Sequence, residues 1–169
     1  NFWDYTGKTE GNHLDLTRFN PAHFQHIENC IRCLGELGIE ADLIMMHPYD
    51  RWGFSQMTRE QDDLYWNYAV SRFSAFANVW WSLANEYDLM PHKAIQDWER
   101  YASILCEKDP YHHMRSIHNC VSLYDFSRPW ITHCSVQRTD LYKSSEITNE
   151  LRERYHKPVV LDEIAYEGD

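Results

Sequence analysis

The sequence predicts an α/β fold, an incomplete (β/α)8 TIM barrel of about five strands. Short apolar runs alternate with amphipathic helical patterns over short connections, which is typical of βαβ units around a parallel sheet. None of the 6 glycines forms a Gly-rich phosphate loop after a strand, which disfavours an open nucleotide-binding sheet. A complete barrel takes about 200–250 residues. A chain of 169 residues is therefore expected to hold only part of one.

Composition argues against several classes of protein. The chain is 43% hydrophobic and 15% aromatic, as expected of a globular domain. Its net charge of −10 repels phosphate backbones, so nucleic acid is not an expected partner. No apolar run approaches the roughly 20 residues that cross a bilayer, so no membrane partner is expected. The 5 cysteines suit buried free thiols better than a disulfide framework, which favours a reducing, cytoplasmic location.

The first half of the chain predicts two helices, each followed by a strand. Asn20-Pro21 is typical of a helix start, and an apolar stripe that includes Cys30 continues to Gly38. Residues 39–46 then predict a strand buried on both faces. The capping box Thr58-Arg59-Glu60-Gln61 predicts a second helix that begins near residue 59 and ends near residues 77–78. The next strand is expected over residues 79–84.

The second half of the chain repeats this alternation. We expect helices over 94–105 and 147–155, and strands over 115–118, 130–136 and 158–163. The connection between residues 119 and 129 is expected to hold little or no helix. With no repeat or flexible linker in sight, residues 1–169 are interpreted as part of one catalytic barrel domain.

Polar residues end most of the predicted strands. They are His47, Asn85-Glu86, His118, His133 with Gln137, and Glu163. The carboxyl ends of barrel strands form the rim that carries the chemistry. Glu86 and Glu163 should therefore face each other across the barrel mouth. Such a pair suits hydrolysis of a glycosidic bond, since one carboxyl protonates the leaving oxygen while the other, ionised, attacks the anomeric carbon.

Two of these strand ends resemble known motifs. Trp81-Ser82-Leu83-Ala84-Asn85-Glu86 resembles the strand-four motif of the large clan of retaining (β/α)8 glycoside hydrolases, clan A, and Pro158-Val159-Val160-Leu161-Asp162-Glu163 resembles its strand-seven motif. The segments from Arg18-Phe19-Asn20-Pro21 to His26-Ile27, and Tyr87-Asp88, are similar to bacterial proteins of the apiosidase-like, β-xylosidase or endoglucanase group. The resemblance extends from the loop after strand two to just past strand seven, as for a fragment holding strands three to seven.

The resemblance implies a role for each motif residue. Glu86 is implied to be the general acid/base, Glu163 the nucleophile, and Asn85 a partner of the sugar 2-hydroxyl in a retaining O-glycoside hydrolase of polysaccharide degradation. In this clan a tyrosine near the end of strand six often binds the nucleophile. Here that strand offers His133 and Gln137 instead, since Tyr142 lies too far along the chain.

Residues of the predicted rim complete the expected site for an oligosaccharide or glycoside substrate. Trp3, Tyr5 and Phe54 lie in segments predicted as rim loops, where flat rings stack on sugars, whereas Trp80 and Trp81 are expected in the core. The residues expected to bind substrate are Asn85, His47, Tyr49, Trp52, His118, His133 and Gln137. No cofactor is expected.

Two other functions compete with glycoside hydrolysis. A metal-dependent barrel hydrolase would use His47, His118 and His133, although no His-x-His or His-Glu-x-x-His pattern occurs. A non-catalytic carbohydrate-binding barrel would keep the aromatic residues without the acid pair.

Five strands cannot close a barrel of eight. The first and last strands would expose unpaired backbone groups, which are templates for aggregation. We therefore expect residues 1–169 alone to be poorly soluble or to assemble as an oligomer, and the native polypeptide to supply the missing part of the barrel at both ends.

Overall fold

An antiparallel hairpin precedes the α/β part of the molecule. The structure, a computed structural model, describes residues 2–5, 14–49, 53–137 and 145–164. In the hairpin, β1 (Trp3–Tyr5) pairs with β2 (Leu14–Phe19). The expectation that Trp3 and Tyr5 lie in rim loops is wrong, because both belong to β1. Trp3 is fully buried and stacks on Phe19 with ring centroids 4.4 Å apart.

Helices and parallel strands alternate after the hairpin, as the sequence predicts. In the described part of the chain they are α1 (Pro21–Glu36), β3 (Ala41–Ile44), α2 (Arg59–Phe73), β4 (Val79–Ser82), α3 (Ile95–Lys108), β5 (Arg115–Ser116), β6 (Cys134–Gln137), α4 (Glu146–Tyr155) and β7 (Val159–Glu163). Short 3₁₀ helices, Phe54–Gln56 and Tyr87–Leu89, precede α2 and α3. Residues 117–133, all described, contain no helix, so the expected irregular connection is confirmed.

Capping residues fix the starts of α1 and α2. The Asn20 side chain accepts a hydrogen bond from the third residue of α1, and Pro21 occupies the first helical position. Thr58 and Gln61 form the predicted reciprocal capping box at the start of α2. A cap of this kind stabilises a helix by about 1 kcal/mol. Local sequence therefore suffices to place both starts.

The cysteines differ from the expectation of buried thiols. All five are free, and only Cys134, at the start of β6, is buried. Cys30 and Cys33 are exposed because the inner face of α1 presents Phe24 and Ile31 instead. The predicted apolar stripe of α1 is therefore wrong at Cys30, whose side chain faces solvent.

The parallel strands form two sheets. The order is β3-β4-β5 in one sheet, and β6 pairs with β7 in the other. Between the sheets, the Thr132 N–H donates to the Arg115 carbonyl (2.9 Å) and the Ser116 hydroxyl donates to the His133 carbonyl (2.6 Å). Residues 132 and 133 are bonded to β5 in this way. The strand β6 begins after them, at Cys134 rather than at residue 130. His133 therefore precedes β6 and does not lie at its carboxyl end.

Side chains from β3, from the end of β5 and from β7 interact with one another. In a flat sheet spaced by about 4.8 Å per strand, β3 and β7 would lie about 19 Å apart. Burial and then the charge of Asp162, on β7, raise the pKa of Asp42, on β3, to about 6. His118, just after β5, also reaches across β6 to Asp162, with Nδ1 and Oδ1 2.9 Å apart. Side chains from strands distant in the order therefore converge.

Aromatic residues fill the core between the sheets and the helices. Trp66 on α2 and Tyr101 on α3 stack with ring centroids 5.0 Å apart. Trp81 is fully buried, and its indole N–H donates to Asp109 (3.2 Å). Trp80, on the opposite face of β4, is only partly buried, so the expectation of a core position is confirmed for Trp81 alone. No helix in the described ranges is long and apolar enough to span a membrane.

Candidate active site

The carboxyl ends of β3, β4 and β5 bring their following loops together. The Asn85 N–H donates to the Met46 carbonyl (2.9 Å), and the Tyr87 N–H donates to the His118 carbonyl (3.0 Å). The residues that follow β3, β4 and β5 are therefore neighbours at one edge of the sheet. This edge is the rim at which the sequence analysis placed the strand-end polar residues.

Glu86 combines burial with an unusual backbone conformation. Its φ of 48° and ψ of 55° lie in the left-handed region, which is uncommon for a residue other than glycine. Its side chain accepts hydrogen bonds at Oε2 from the Tyr49 hydroxyl and from the Asn85 amide, the latter at 3.3 Å. Backbone strain of about 1–3 kcal/mol per residue persists mainly at functional sites. The local conformation thus holds a carboxylate, 5% exposed, at the rim.

Tyr49 connects the two glutamates electrostatically. Its hydrogen bond to Glu86, burial, and the charges of Glu86 and Glu163 raise the pKa of Tyr49 to about 12. The phenol therefore keeps its proton at neutral pH and acts as a donor. The charges of both glutamates therefore act on the same hydroxyl. The ring is 58% exposed and forms part of the rim surface.

On the other side of the site, His118 lies between two carboxylates of β7. Its Nδ1 is 2.9 Å from Oδ1 of Asp162, and its Nε2 is 3.3 Å from Oε2 of Glu163. Burial lowers the pKa of His118, but the hydrogen bond and the charges of Asp162 and Glu163 outweigh it and raise the pKa above its ordinary value. Asp162 also accepts from the Ser135 hydroxyl. Burial raises the pKa of Asp162, and these two hydrogen bonds outweigh it and lower that pKa.

Asp88 ties the loop after β4 to the loop after β5. Its carboxylate accepts hydrogen bonds from the backbone N–H groups of Cys120, Val121 and Ser122 at 2.7, 2.8 and 2.8 Å. Burial raises the pKa of Asp88, and these bonds outweigh it and lower that pKa. The loop held in this way places Cys120 at the site, where burial and contact with Glu86 raise the pKa of its thiol.

Sequence analysis missed both Asp88 and Cys120. For Asp88 the signal was present, since Tyr87-Asp88 directly follows Asn85-Glu86 in the segment that resembles the family. No pattern in the sequence points to Cys120, because its place depends on the loop that Asp88 holds.

Asn119 and Gln137 meet where β5 and β6 end. The Gln137 N–H donates to Oδ1 of Asn119 (3.4 Å), and Gln137 pairs with Glu163 in the β6–β7 register. Within the described structure, Nδ2 of Asn119 and Oε1 of Gln137 are buried without a hydrogen-bond partner. Sequence analysis named Gln137 and missed Asn119, which is 1% exposed and lies within an irregular loop.

Other predicted site residues lie elsewhere. Phe54 is buried against Tyr65, with ring centroids 5.2 Å apart, so it is not a rim ring. His133 is buried before β6, where its Nδ1 lies 3.0 Å from the Thr132 hydroxyl and burial lowers its pKa. The structure therefore does not bring His133 to the rim. Trp52 and Tyr142 lie outside the described residues.

The histidines of the competing metal-dependent function have other contacts. His47 accepts a hydrogen bond at Nδ1 from the Tyr49 N–H (3.2 Å) and follows β3 at the rim. His118 lies between the two carboxylates of β7. Among the residues that the structure describes, no three His, Cys, Asp or Glu side chains form a group that could hold a metal ion.

Comparison with known proteins identifies relatives of the whole chain. A family model described as apiosidase-like, catalytic domain, matches residues 3–169. A crystal structure of a candidate glycoside hydrolase from Bacteroides vulgatus ATCC 8482 is similar with a TM-score of 0.91 and 42% identity, over 99% of this chain and 35% of that one. A glycoside hydrolase family 5 structure from the same organism is similar in fold, with a TM-score of 0.62 and 19% identity over 85% of this chain and 35% of that one. The chain thus spans about a third of each solved relative. No curated protein matches it.

Proposed function

Because this chain belongs to the apiosidase-like catalytic domain family, we propose that it is the part of a retaining glycoside hydrolase that carries both catalytic carboxylates. The enzyme cleaves a β-glycosidic bond in an oligosaccharide or glycoside. Glu86 is the general acid/base and Glu163 is the nucleophile. The observation that carries the assignment is that His118 connects the two glutamates: its carbonyl accepts from the Tyr87 N–H next to Glu86 (3.0 Å), and its Nε2 lies 3.3 Å from Oε2 of Glu163.

The proposed reaction has two steps with one intermediate. In the first step the Glu163 carboxylate attacks the anomeric carbon, and the bond to the leaving oxygen breaks as Glu86 gives that oxygen its proton. In the second step Glu86 takes a proton from water, whose oxygen attacks the anomeric carbon and releases Glu163. Asn85, whose amide already donates to Glu86, is placed to bind the sugar 2-hydroxyl. His47, Tyr49 and Gln137 are proposed to bind other substrate groups.

The fold supports the proposal as part of a (β/α)8 barrel. The parallel strands curve around the face that carries Asp42 and Asp162, as barrel strands must. Since the matched part is about a third of each similar solved structure, we propose that the remaining strands come from other parts of the complete protein.

Substitution of the two glutamates in the full-length protein tests the proposal. With a panel of aryl glycosides, Glu163→Ala should abolish turnover of every substrate. Glu86→Ala should lose about 10²–10⁴-fold on poor leaving groups but keep activity on activated ones, because only poor leaving groups need the proton. External azide should rescue both variants but with opposite stereochemistry: Glu86→Ala should give the β-glycosyl azide through the glycosyl-enzyme, and Glu163→Ala the α-glycosyl azide, because azide there takes the place of the nucleophile.

The matched control is Glu40→Ala, which removes an exposed carboxylate just before β3 and should retain wild-type rates. Full activity of Glu86→Ala on unactivated glycosides would contradict the assignment of the acid/base.

A further inference from the structure

We propose that His118, clamped by Asp162, is the positioning residue of the nucleophile Glu163. This inference rests on the proposed function of Glu163 and adds a residue to which only substrate binding was assigned. In the clan that the sequence resembles, a tyrosine near the end of strand six often binds the nucleophile. Here the group beside Glu163 is His118, from the end of β5.

The position of the imidazole is fixed from both sides. The His118 N–H donates to the Ala84 carbonyl (3.1 Å), and its carbonyl accepts from the Tyr87 N–H (3.0 Å). These bonds attach His118 to the same loop that carries Glu86. The side chain is 5% exposed and lies with one ring nitrogen near each carboxylate of β7. A movement of either glutamate would therefore disturb the same short network.

Asp162 orients the imidazole ring of His118. Its Oδ1 lies 2.9 Å from Nδ1 of His118, and its Oδ2 accepts the Ser135 hydroxyl. With both oxygens bonded to protein, Asp162 is not available for attack on a sugar. The arrangement therefore distinguishes the two adjacent carboxylates, with Asp162 as the clamp and Glu163 as the nucleophile.

Charge balance explains why a clamp is needed. The charged groups that act on His118 are Asp162 and Glu163 from β7, and His118 in turn acts on Asp42 from β3. When Glu163 bonds to the anomeric carbon, its negative charge is lost. An imidazolium left alone in a buried site would be costly. Asp162 keeps it compensated throughout the reaction.

The test separates kcat from KM in the full-length enzyme. His118→Ala removes the group that lies 3.3 Å from Oε2 of Glu163, so kcat should fall about 10²-fold while KM changes little. His118→Gln keeps an amide donor and should recover part of this loss. Asp162→Asn should also lower kcat, because Asp162 then no longer orients the imidazole.

A second buried histidine pair provides the matched control. Nδ1 of His113 lies 2.8 Å from Oδ1 of Asp109, and His113 precedes β5 at the end away from the site. His113→Ala should leave kcat unchanged even if it lowers the melting temperature. A wild-type kcat in folded His118→Ala, or an equal loss in His113→Ala, would overturn the proposal.

NMR titration of His118 tests its contacts with Asp162 and Glu163 without a measurement of turnover. The midpoint in the wild-type protein should lie above the usual value of about 6.5 and should fall in both Asp162→Asn and Glu163→Gln. A midpoint that Glu163→Gln leaves unchanged would show that the two side chains do not interact, and the inference would fail. If the midpoint falls but Glu163→Ala remains active, the pairing stands and the proposed function fails instead.

Discussion

Tyr49 and His118 each contact one of the two glutamates of the site. Tyr49, from the loop after β3, donates to Glu86, whereas His118, after β5, lies beside Glu163. The donor to Glu86 is a phenol that keeps its proton, and the partner of Glu163 is an imidazole whose pKa is raised. This asymmetry is what two carboxyl groups with different tasks require, since one must exchange a proton and the other must stay ionised.

Replacement of Tyr49 by Phe tests the neutral donor. The phenol donates to the Glu86 carboxylate, so Tyr49→Phe leaves that carboxylate with one hydrogen bond fewer. We expect kcat/KM on poor leaving groups to fall about tenfold in Tyr49→Phe, in line with about 1.5 kcal/mol for a hydrogen bond to a charged group. Tyr111→Phe, at another exposed tyrosine, is the control. An unchanged kcat/KM in Tyr49→Phe contradicts this role.

At the residue scale, the sequence could predict the carboxylates but not their partners. Glu86 and Glu163 follow directly from apolar runs that end in an acid. The contacts of Tyr49 and His118 depend on loop paths and on sheet curvature, which no local pattern encodes. His133 shows the opposite error, because its place before β6 depends on hydrogen bonds of Thr132 and His133 to the two residues of β5.

At the element scale, α2 and α3 are joined by a buried ion pair. Nζ of Lys93, just before α3, lies 2.9 and 2.7 Å from the two carboxylate oxygens of Asp62 on α2, and it also donates to the Met57 carbonyl. The side chains are 3% and 2% exposed. Burial raises the pKa of Asp62 despite these contacts. The ionised carboxylate is therefore stabilised in the core by its hydrogen-bond and charge partners.

Lys93→Ala should destabilise the protein strongly. The change leaves the Asp62 carboxylate buried with less compensation, which costs about 3–5 kcal/mol for a pair of this kind. Lys108→Ala, whose partner Glu107 is 76% exposed, should cost at most about 1 kcal/mol. Urea denaturation of the two variants measures the difference. Equal midpoints would mean that the Lys93 pair contributes no more than a surface pair.

Elements were predictable where their signals are local. The capping box of α2 gave its start within a residue, and each predicted parallel strand exists. Strand lengths were overestimated, since β5 has 2 residues and side chains make the bonds that a longer strand would make. The hairpin was missed although Leu14-Asp15-Leu16 alternates as a half-buried strand does.

At the scale of the whole molecule, curvature brings the first and last parallel strands within electrostatic reach. Asp42 on β3 and Asp162 on β7 share the concave face with His118. The alternation of strands and helices predicted a parallel sheet. It could not predict this convergence, because curvature arises from packing across the complete sheet.

Asp42→Asn tests the convergence through the pH dependence of stability. Burial and the Asp162 charge raise the pKa of folded Asp42 to about 6 from an ordinary value of 3.8, while the His118 charge opposes them. A carboxyl whose pKa is raised by folding lowers stability when it is ionised, so the cost is full above pH 6 and disappears below about pH 4. Asp42→Asn should therefore melt at a higher temperature than the wild type at pH 8.

The advantage of Asp42→Asn should shrink as the pH falls from 8 to 5. Glu40→Gln, at the exposed neighbouring acid, should show no such trend. Asp162→Asn removes the charge across the concave face, so in that background the gain from Asp42→Asn at pH 8 should be smaller. Thermal unfolding of the four full-length variants measures this coupling. A gain that is independent of both pH and residue 162 would mean that β3 and β7 do not converge in the complete protein.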